Sequence, residues 1–273
     1  MTYQQICNRL LDAGIDSAEW DAALLIEHFC GTDASLVRLD RQRDYPMPEL
    51  KAAVDRRAAR YPLQYLLGEW QFYRQTYEVS ADCLIPRSDT ERLVEEAIRL
   101  LPQNASFVDL CTGSGCIAVS VLAERPDTNA VAVEKFEATL SLATRNAQKN
   151  AVRDRFTPQK ADILTADFIP VGAPFDAILS NPPYICAKDI AGLSPEVREE
   201  PHAALDGGED GLVFYRSILQ NAARYLKSDG FILFEIGFDQ AAALCKLGLE
   251  HGFTVCRVIK DYGGQDRVVS LAR

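Results

Sequence analysis

From about Pro86 onward the chain alternates strand-like and helix-like stretches, and no other feature narrows its possible folds as much. SFVDLCTG at 106–113 reads as a buried strand, and a helix starts over Cys116 to Glu124. NAVAVEK is the next strand and Phe136 to Asn150 the next helix. FTPQKAD, FDAILSN, FILFEIG, FTVCRVIK and RVVSLAR complete the strands, with helices over Leu212 to Leu226 and Asp239 to Leu249. Such alternation calls for parallel strands joined by right-handed helical crossovers. Only Asp261 to Asp266 separates the last two strands, too little for a crossover helix. They are expected to form an antiparallel hairpin at or near an edge of a seven-stranded α/β sheet.

Residues 1 to about 68 follow a different pattern, with apolar positions recurring at three and four residues and no strand signal. Leu10 and Leu11 lead to Gly14, and Trp20, Leu24, Leu25 and Phe29 lead to Gly31, just past a helix end. Further helices fit Asp33 to Asp40 and Pro48 to Arg60, where Pro48 is tolerated in a first turn. RRAAR at 56–60 reads as a solvated helix face rather than a docking patch. The aromatic stretch from Gly68 to Leu84 then suggests a hairpin between two domains. The expected division is 1–68 helical, 69–85 linker and 86–273 α/β.

The 29 basic and 39 acidic residues give a formal charge of -10, which argues against a dominant attraction to nucleic acid. Nine basic and twelve acidic residues in the first 80 leave the helical part acidic too. Eight cysteines without a C-x-x-C pair, and three histidines, make a zinc site improbable on spacing. The start MTYQQICNRLLDAG has no signal-peptide pattern, and no long uncharged apolar run occurs. A cytoplasmic protein with reduced, mostly buried thiols is expected.

Asp109-Leu-Cys111-Thr112-Gly113-Ser114-Gly115 stands where the first strand turns into a helix, the place where an α/β sheet binds nucleotide-like ligands. Glu134 ends the next strand about twenty residues on, suited to accept from two ribose hydroxyls. Gly113 to Ala118 also fits G-x-G-x-x-A, so the loop leaves a nicotinamide dinucleotide and S-adenosylmethionine both open. Two acids tilt the choice to the second. Asp109 would repel a pyrophosphate but could meet the methionine part of the cationic cofactor, and Asp162 suits an adenine amine. Each acid taken singly reads as well as a cap or turn residue.

The fourth strand ends in Asn181-Pro182-Pro183-Tyr184. Two prolines lock φ and remove two donors, leaving the loop's carbonyls free to face a ligand. Asn181 offers an acceptor oxygen and the Pro182 carbonyl a second, enough to hold both hydrogens of a planar NH2 group. Tyr184 offers an aromatic face for stacking. This set fits in-line methyl transfer to an amide or base nitrogen.

These residues, with PLQYLLGEWQFY at 62–73, IPRSDTE at 85–91, EPHAALDGGEDGL at 200–212, FEIGFDQ at 234–240 and DRVV at 266–269, resemble the protein-(glutamine-N5) methyltransferases. Within them the likeness is to the branch acting on peptide chain release factors. The resemblance implies a Rossmann-like class I methyltransferase domain, S-adenosylmethionine as cofactor, and a helical N-terminal domain that docks the release factor. It implies substrate binding by Asn181 to Tyr184, with Arg87 and Glu91 in an active-site or a structural role. It implies cofactor binding by Cys111, Thr112, Gly113, Ser114, Gly115, Glu134, Asp162, Ile163 and Asn181. Cys111 stands where the family usually has glycine, Ser88 replaces a proline and Glu134 an aspartate. Ile163 stands where an aromatic often covers the adenine, so Phe168 or another side chain is expected to do that work. Rival readings are a ribosomal-protein glutamine methyltransferase and a nucleic-acid amino methyltransferase; a dinucleotide-binding module would leave the tetrad idle. The expected partner is a protein substrate, without nucleic acid or membrane contact, acted on by a monomer. Gly263-Gly264-Gln265 spells the family's substrate tripeptide but reads as a turn.

Overall fold

The computed structural model describes Met1–Arg273, and the chain divides into two units. The first comprises Met1–Glu69 together with Leu193–Glu199; the second comprises Trp70–Gly192 and Glu200–Arg273.

The first unit is built from α1 (Tyr3–Asp12), α2 (Ala18–Cys30), α3 (Ala34–Val37), α4 (Pro48–Ala58) and α5 (Leu63–Leu67). Thr2 starts α1 with a reciprocal capping box: its side chain accepts from the Gln5 N–H and the Gln5 side chain from the Thr2 N–H. Tyr3, Ile6 and Leu10 of α1, Ala22, Leu25 and Ile26 of α2, and Leu50 and Val54 of α4 are fully buried where these helices pack. The basic run is not a solvated face. Arg57 is 6% exposed, and its Nε donates to Asp21 Oδ2 at 2.7 Å while Nη1 donates to Glu196 at 3.0 Å. Arg60 donates to both oxygens of Glu196, at 2.6 and 2.9 Å. Burial pushes the Glu196 carboxyl up, but the hydrogen bonds from Arg60 and Arg57 outweigh it and bring it down to about 2. Local charge counting misses this because one partner is encoded more than a hundred residues later.

The expected hairpin is β1 (Glu69–Phe72) with β2 (Gln75–Glu78), in the second unit from Trp70 onward. Then follow α6 (Glu91–Leu100), β3 (Ser106–Leu110), α7 (Cys116–Glu124), β4 (Asn129–Glu134), α8 (Glu137–Lys149), β5 (Phe156–Lys160) and β6 (Phe175–Ser180). After the short α9 (Pro195–Arg198), which belongs to the first unit, come α10 (Val213–Tyr225), β7 (Leu226–Glu235), α11 (Ala241–Glu250), β8 (Val255–Lys260) and β9 (Asp266–Ala272). The seven-stranded sheet has the order β5-β4-β3-β6-β7-β9-β8, parallel except for β9, which pairs antiparallel with both β7 and β8. The expected α/β sheet and its hairpin edge are therefore present. Helix α6 escaped the sequence reading, although Leu93, Val94 and Ala97 sit on one buried face at helical spacing.

Strand alternation divides the core. Phe107, Ala130, Ala177 and Leu179 face a layer made with α6, α7 and α8. Val108, Val131, Ile178, Ile232 and Phe234 face one made with α10 and α11. Period-two alternation of apolar residues on both faces is what a sheet covered by helices on both sides requires. Pro158 is accommodated because β5 is an edge strand, paired only with β4.

The thiols are not all reduced. Cys245 on α11 and Cys256 on β8 have Cα atoms 5.7 Å apart and form a disulfide; the other six cysteines form none. Packing of α11 against β8 creates a proximity that cysteine spacing does not encode. No helix is long and apolar enough to cross a membrane.

Candidate active site

The loop after β3 closes tightly. The Thr112 N–H donates to Val133 O at 3.0 Å and the Gly115 N–H to Thr112 O at 2.8 Å. Asp109 lies fully buried beneath: Oδ2 accepts from the Thr112 hydroxyl at 2.6 Å and from the Ala118 N–H at 3.3 Å, while Oδ1 has no partner. Burial pushes its carboxyl up to about 7. Its expected contact with a ligand is corrected accordingly, since it braces the loop from inside. Gly115 is also set back: a Cβ there would stand 3.1 Å from Ala143 Cβ, so the residue lets α8 approach. Cys111 adopts φ +61°, a conformation in which a side chain costs roughly 1–2 kcal/mol. A glycine there, having no Cβ, would carry no such cost.

Glu134 is 8% exposed. Its Oε2 accepts from the Gly113 N–H at 3.1 Å, and Oε1 from the Lys135 and Phe136 N–H groups at 2.8 and 3.1 Å. Burial raises its pKa, opposed by those three backbone donors. Asp162 accepts from the Leu164 N–H at 3.0 Å and pairs with Lys135 Nζ at 2.9 Å. Burial pushes its carboxyl up, but these two donors hold it below the ordinary value.

The loop 181–184 leaves the carboxyl end of β6 and is clamped by the segment that follows α9. The Ile185 N–H donates to Leu205 O and the Gly207 N–H to Ile185 O, at 3.0 and 2.9 Å. The Tyr184 carbonyl accepts from Gln240 Nε2 at 3.0 Å. A Cβ on Gly211 would fall inside contact distance of that carbonyl and 2.6 Å from Gln240 Nε2. A Cβ on Gly207 would stand 2.7 Å from Tyr184 Cα. These approaches explain why the glycine-rich string at 200–212 accompanies the tetrad. Asn181 Nδ2 donates to Thr90 Oγ1 at 3.4 Å.

The loop after β3, Glu134, Asp162, Asn181 and Pro183 share one cavity of about 350 Å³ in the second unit. Of the expected site residues it brings together Arg87, Cys111, Thr112, Gly113, Ser114, Glu134, Asp162, Ile163, Asn181 and Pro183. Asp109, Gly115, Pro182, Tyr184 and Glu91 do not line it. Tyr184 packs against the α10 core layer, and Glu91 accepts from the Tyr73 N–H at 2.9 Å, tying the hairpin to α6. Arg87 is paired with Glu200, whose other oxygen accepts from the Ile85 N–H at 3.0 Å. Arg87 thus has a structural carboxylate partner, Glu200 rather than Glu91, and still reaches the cavity.

Phe168 packs edge-on against Tyr225, ring centres 6.1 Å apart, and takes no part in the cavity. Phe136 and Phe214 supply its aromatic walls instead. Thr90 and the run Pro201 to Ala204 also line it and were missed. Thr90 and Pro201 to Ala204 lay inside the quoted strings, and Phe136 stands two residues past Glu134. The tripeptide 263–265 forms the turn between β8 and β9, with the Asp261 N–H donating to Gln265 O at 2.8 Å.

Residues 2–68 match the family model "PrmC N-terminal domain", and residues 90–200 match "Methyltransferase small domain". The chain is similar to a release factor glutamine methyltransferase of Geobacter sulfurreducens, 40% identical over 95% of this chain and 91% of that one. The protein of the same description from Cereibacter sphaeroides is 41% identical over 96% of this chain and 94% of its own length. Among solved structures, the hMettl16 catalytic domain in complex with the MAT2A 3'UTR hairpin matches with a TM-score of 0.55 at 18% identity, covering 72% of this chain and 74% of that one. That likeness concerns the fold alone.

Proposed function

The chain belongs to the release factor glutamine methyltransferases, and on that premise we propose that it transfers a methyl group from S-adenosylmethionine to the side-chain amide nitrogen of the glutamine in a release factor's Gly-Gly-Gln motif. One observation carries the reading: Asn181 and Pro183 of the acceptor-rich loop share a cavity with Glu134 and the glycine loop. A nitrogen nucleophile held by the first would thus lie beside a nucleoside held by the second.

The cavity fits the adenosyl cofactor chemically. Glu134 presents a nearly buried carboxylate to ribose hydroxyls, while Ile163, Phe136 and Phe214 offer apolar contact to a base. Asp162, held ionised by Lys135 and the Leu164 N–H, suits an exocyclic amine. When bound, S-adenosylmethionine supplies an electrophilic methyl on a sulfonium and leaves as a neutral thioether.

The protein's own task is to orient the amide. Its lone pair is delocalised, with a rotation barrier of ~18–20 kcal/mol. Asn181 Oδ1 and the Pro182 carbonyl accept from the two amide hydrogens and fix the nitrogen on the methyl axis. Accepting from those hydrogens favours a nitrogen that gains positive charge as the new bond forms. The helical unit serves to dock the release factor in this reading.

The test uses radiolabelled methyl donor with purified release factor, either wild type or with Gly-Gly-Ala at the motif. Label is expected on the wild type only; equal labelling of both sinks the assignment.

A further inference from the structure

Glu134, Asp162 and Ile163 suit the nucleoside end of the cavity, and Asn181 and Pro183 the methyl-accepting end. The charged amino-acid end of the cofactor still needs a partner, because Asp109, expected there, is turned beneath the loop. One further wall is the segment 83–90. A Cβ on Gly113 would stand 3.6 Å from Cys83 Sγ, and Thr90 Oγ1 accepts from Asn181 Nδ2 at 3.4 Å. The segment therefore runs from the glycine loop to the acceptor loop, and Arg87 lies on it between the two and lines the cavity.

Charge singles out Arg87. Asp82, Glu134, Asp162 and Asp206 also line the cavity, so an entering carboxylate meets mostly its own sign. Of the basic residues in the wall, Lys135 pairs with Asp162 at 2.9 Å, at the nucleoside end, and His202, its side chain 68% exposed, lies 3.8 Å from Asp206. Arg87 is held differently. Its Nη2 pairs with Glu200, whose side chain is 1% exposed and whose other oxygen accepts from the Ile85 N–H at 3.0 Å. That pairing engages one nitrogen of a planar fork that carries five N–H donors, and the Arg87 side chain stays 35% exposed.

We infer that Arg87 binds the α-carboxylate of the cofactor's methionine part, with Glu200 as the buried strut that orients the guanidinium. The inference rests on the S-adenosylmethionine reading above. A guanidinium meets a carboxylate edge to edge through two parallel N–H···O bonds, and a fork tied to Glu200 through one nitrogen keeps a second edge for such a pair. Because Glu200 already orders the arginine, binding costs little further side-chain freedom. Anchored at its carboxylate and at its ribose, the cofactor has its sulfur fixed between them, facing the acceptor loop.

The test is calorimetric and needs no release factor. S-adenosylhomocysteine is compared with S-adenosyl-3-thiopropylamine, which lacks only the carboxylate. Wild type is expected to bind the first about 10- to 100-fold more tightly, the scale of a hydrogen bond to a charged group. Removing Arg87 alone would leave Glu200 as an unpaired buried charge, so Arg87→Met is combined with Glu200→Gln, whose amide oxygen can still accept from the Ile85 N–H. The double variant is expected to bind the two ligands within about threefold of each other, and Glu200→Gln alone to keep the preference. Arg87→Lys keeps a cation for Glu200 but not the fork, and is expected to lose part of the preference. Equal affinity of wild type for both ligands, or an undiminished preference in either Arg87 variant, overturns the inference and leaves the cofactor reading standing. Wild type that binds neither ligand sinks both.

Discussion

Replacing Gly211 by alanine should damage catalysis without touching the cavity. The new Cβ would overlap the Tyr184 carbonyl and stand 2.6 Å from Gln240 Nε2. Restoring an ordinary contact of about 3.5 Å to Gln240 needs a shift of about 0.9 Å. The shift is shared with the Tyr184 carbonyl, which Gln240 holds at 3.0 Å, so the tetrad must move or lose that bond. Misplacement by ~1 Å costs ~100-fold in rate, about 2.7 kcal/mol of barrier. Gly211 also has φ +72°, which adds strain of roughly 1–2 kcal/mol to folding. Gly252→Ala separates the two effects, because Gly252 has φ +85° and nothing within 4 Å of its Cβ position. It should lower stability alike and leave kcat within about twofold of wild type. Single-turnover methyl transfer and thermal melting followed by circular dichroism give the two readouts, with calorimetry for cofactor binding. A folded Gly211→Ala enzyme with kcat within about threefold of wild type would refute the clamp.

Three further outcomes are expected. Asn181→Ala should lose about 100- to 1,000-fold in kcat while cofactor affinity changes little; a near-normal rate in a steady-state assay makes Asn181 only a turn residue. Glu134→Gln should weaken cofactor binding by about 10- to 100-fold, the scale of a charge-assisted hydrogen bond of ~1.5–3 kcal/mol, and calorimetry showing an unchanged Kd removes its ribose role. The Glu196 carboxyl titrates below its ordinary value, so its pairing with Arg60 and Arg57 stabilises fully above about pH 4.5 and is lost as pH falls toward 2. Urea denaturation of Glu196→Gln and wild type across that range should give curves that converge in acid, and a constant gap counts against the pairing.

Glu196 also bears on the helical unit's boundary. Removing residues 1–68 would strip this carboxylate of Arg57 and Arg60, so weakened docking by such a truncation would mix two causes. A substitution at the surface is the cleaner probe.

Much of the site was legible because its chemistry is local. Asn181 to Tyr184 and Cys111 to Ser114 are contiguous strings at strand ends, and strand ends follow from period-two runs such as FDAILS. Glu134 was legible by the same logic. Asp109 was misassigned because sequence gives its place on β3 but not that its carboxyl turns beneath the loop to Thr112 and Ala118. Proximity along the chain to Asp162 offers Phe168 as one candidate but does not say which ring reaches the cavity. Phe136, two residues from Glu134, does.

The sequence alone determined the alternating sheet, its antiparallel edge, the helical start and the acceptor loop, since these depend on periodicity, loop length and the chemistry of adjacent residues. Only the tertiary structure decided which groups complete one another at long range: Glu196 with Arg57 and Arg60, Glu200 with Arg87, Cys245 with Cys256, and Thr90 with Asn181. A buried charge or amide must find a partner, and the partner is whichever group the packing of distant strands and helices brings within about 3 Å. No spacing along the chain specifies that meeting.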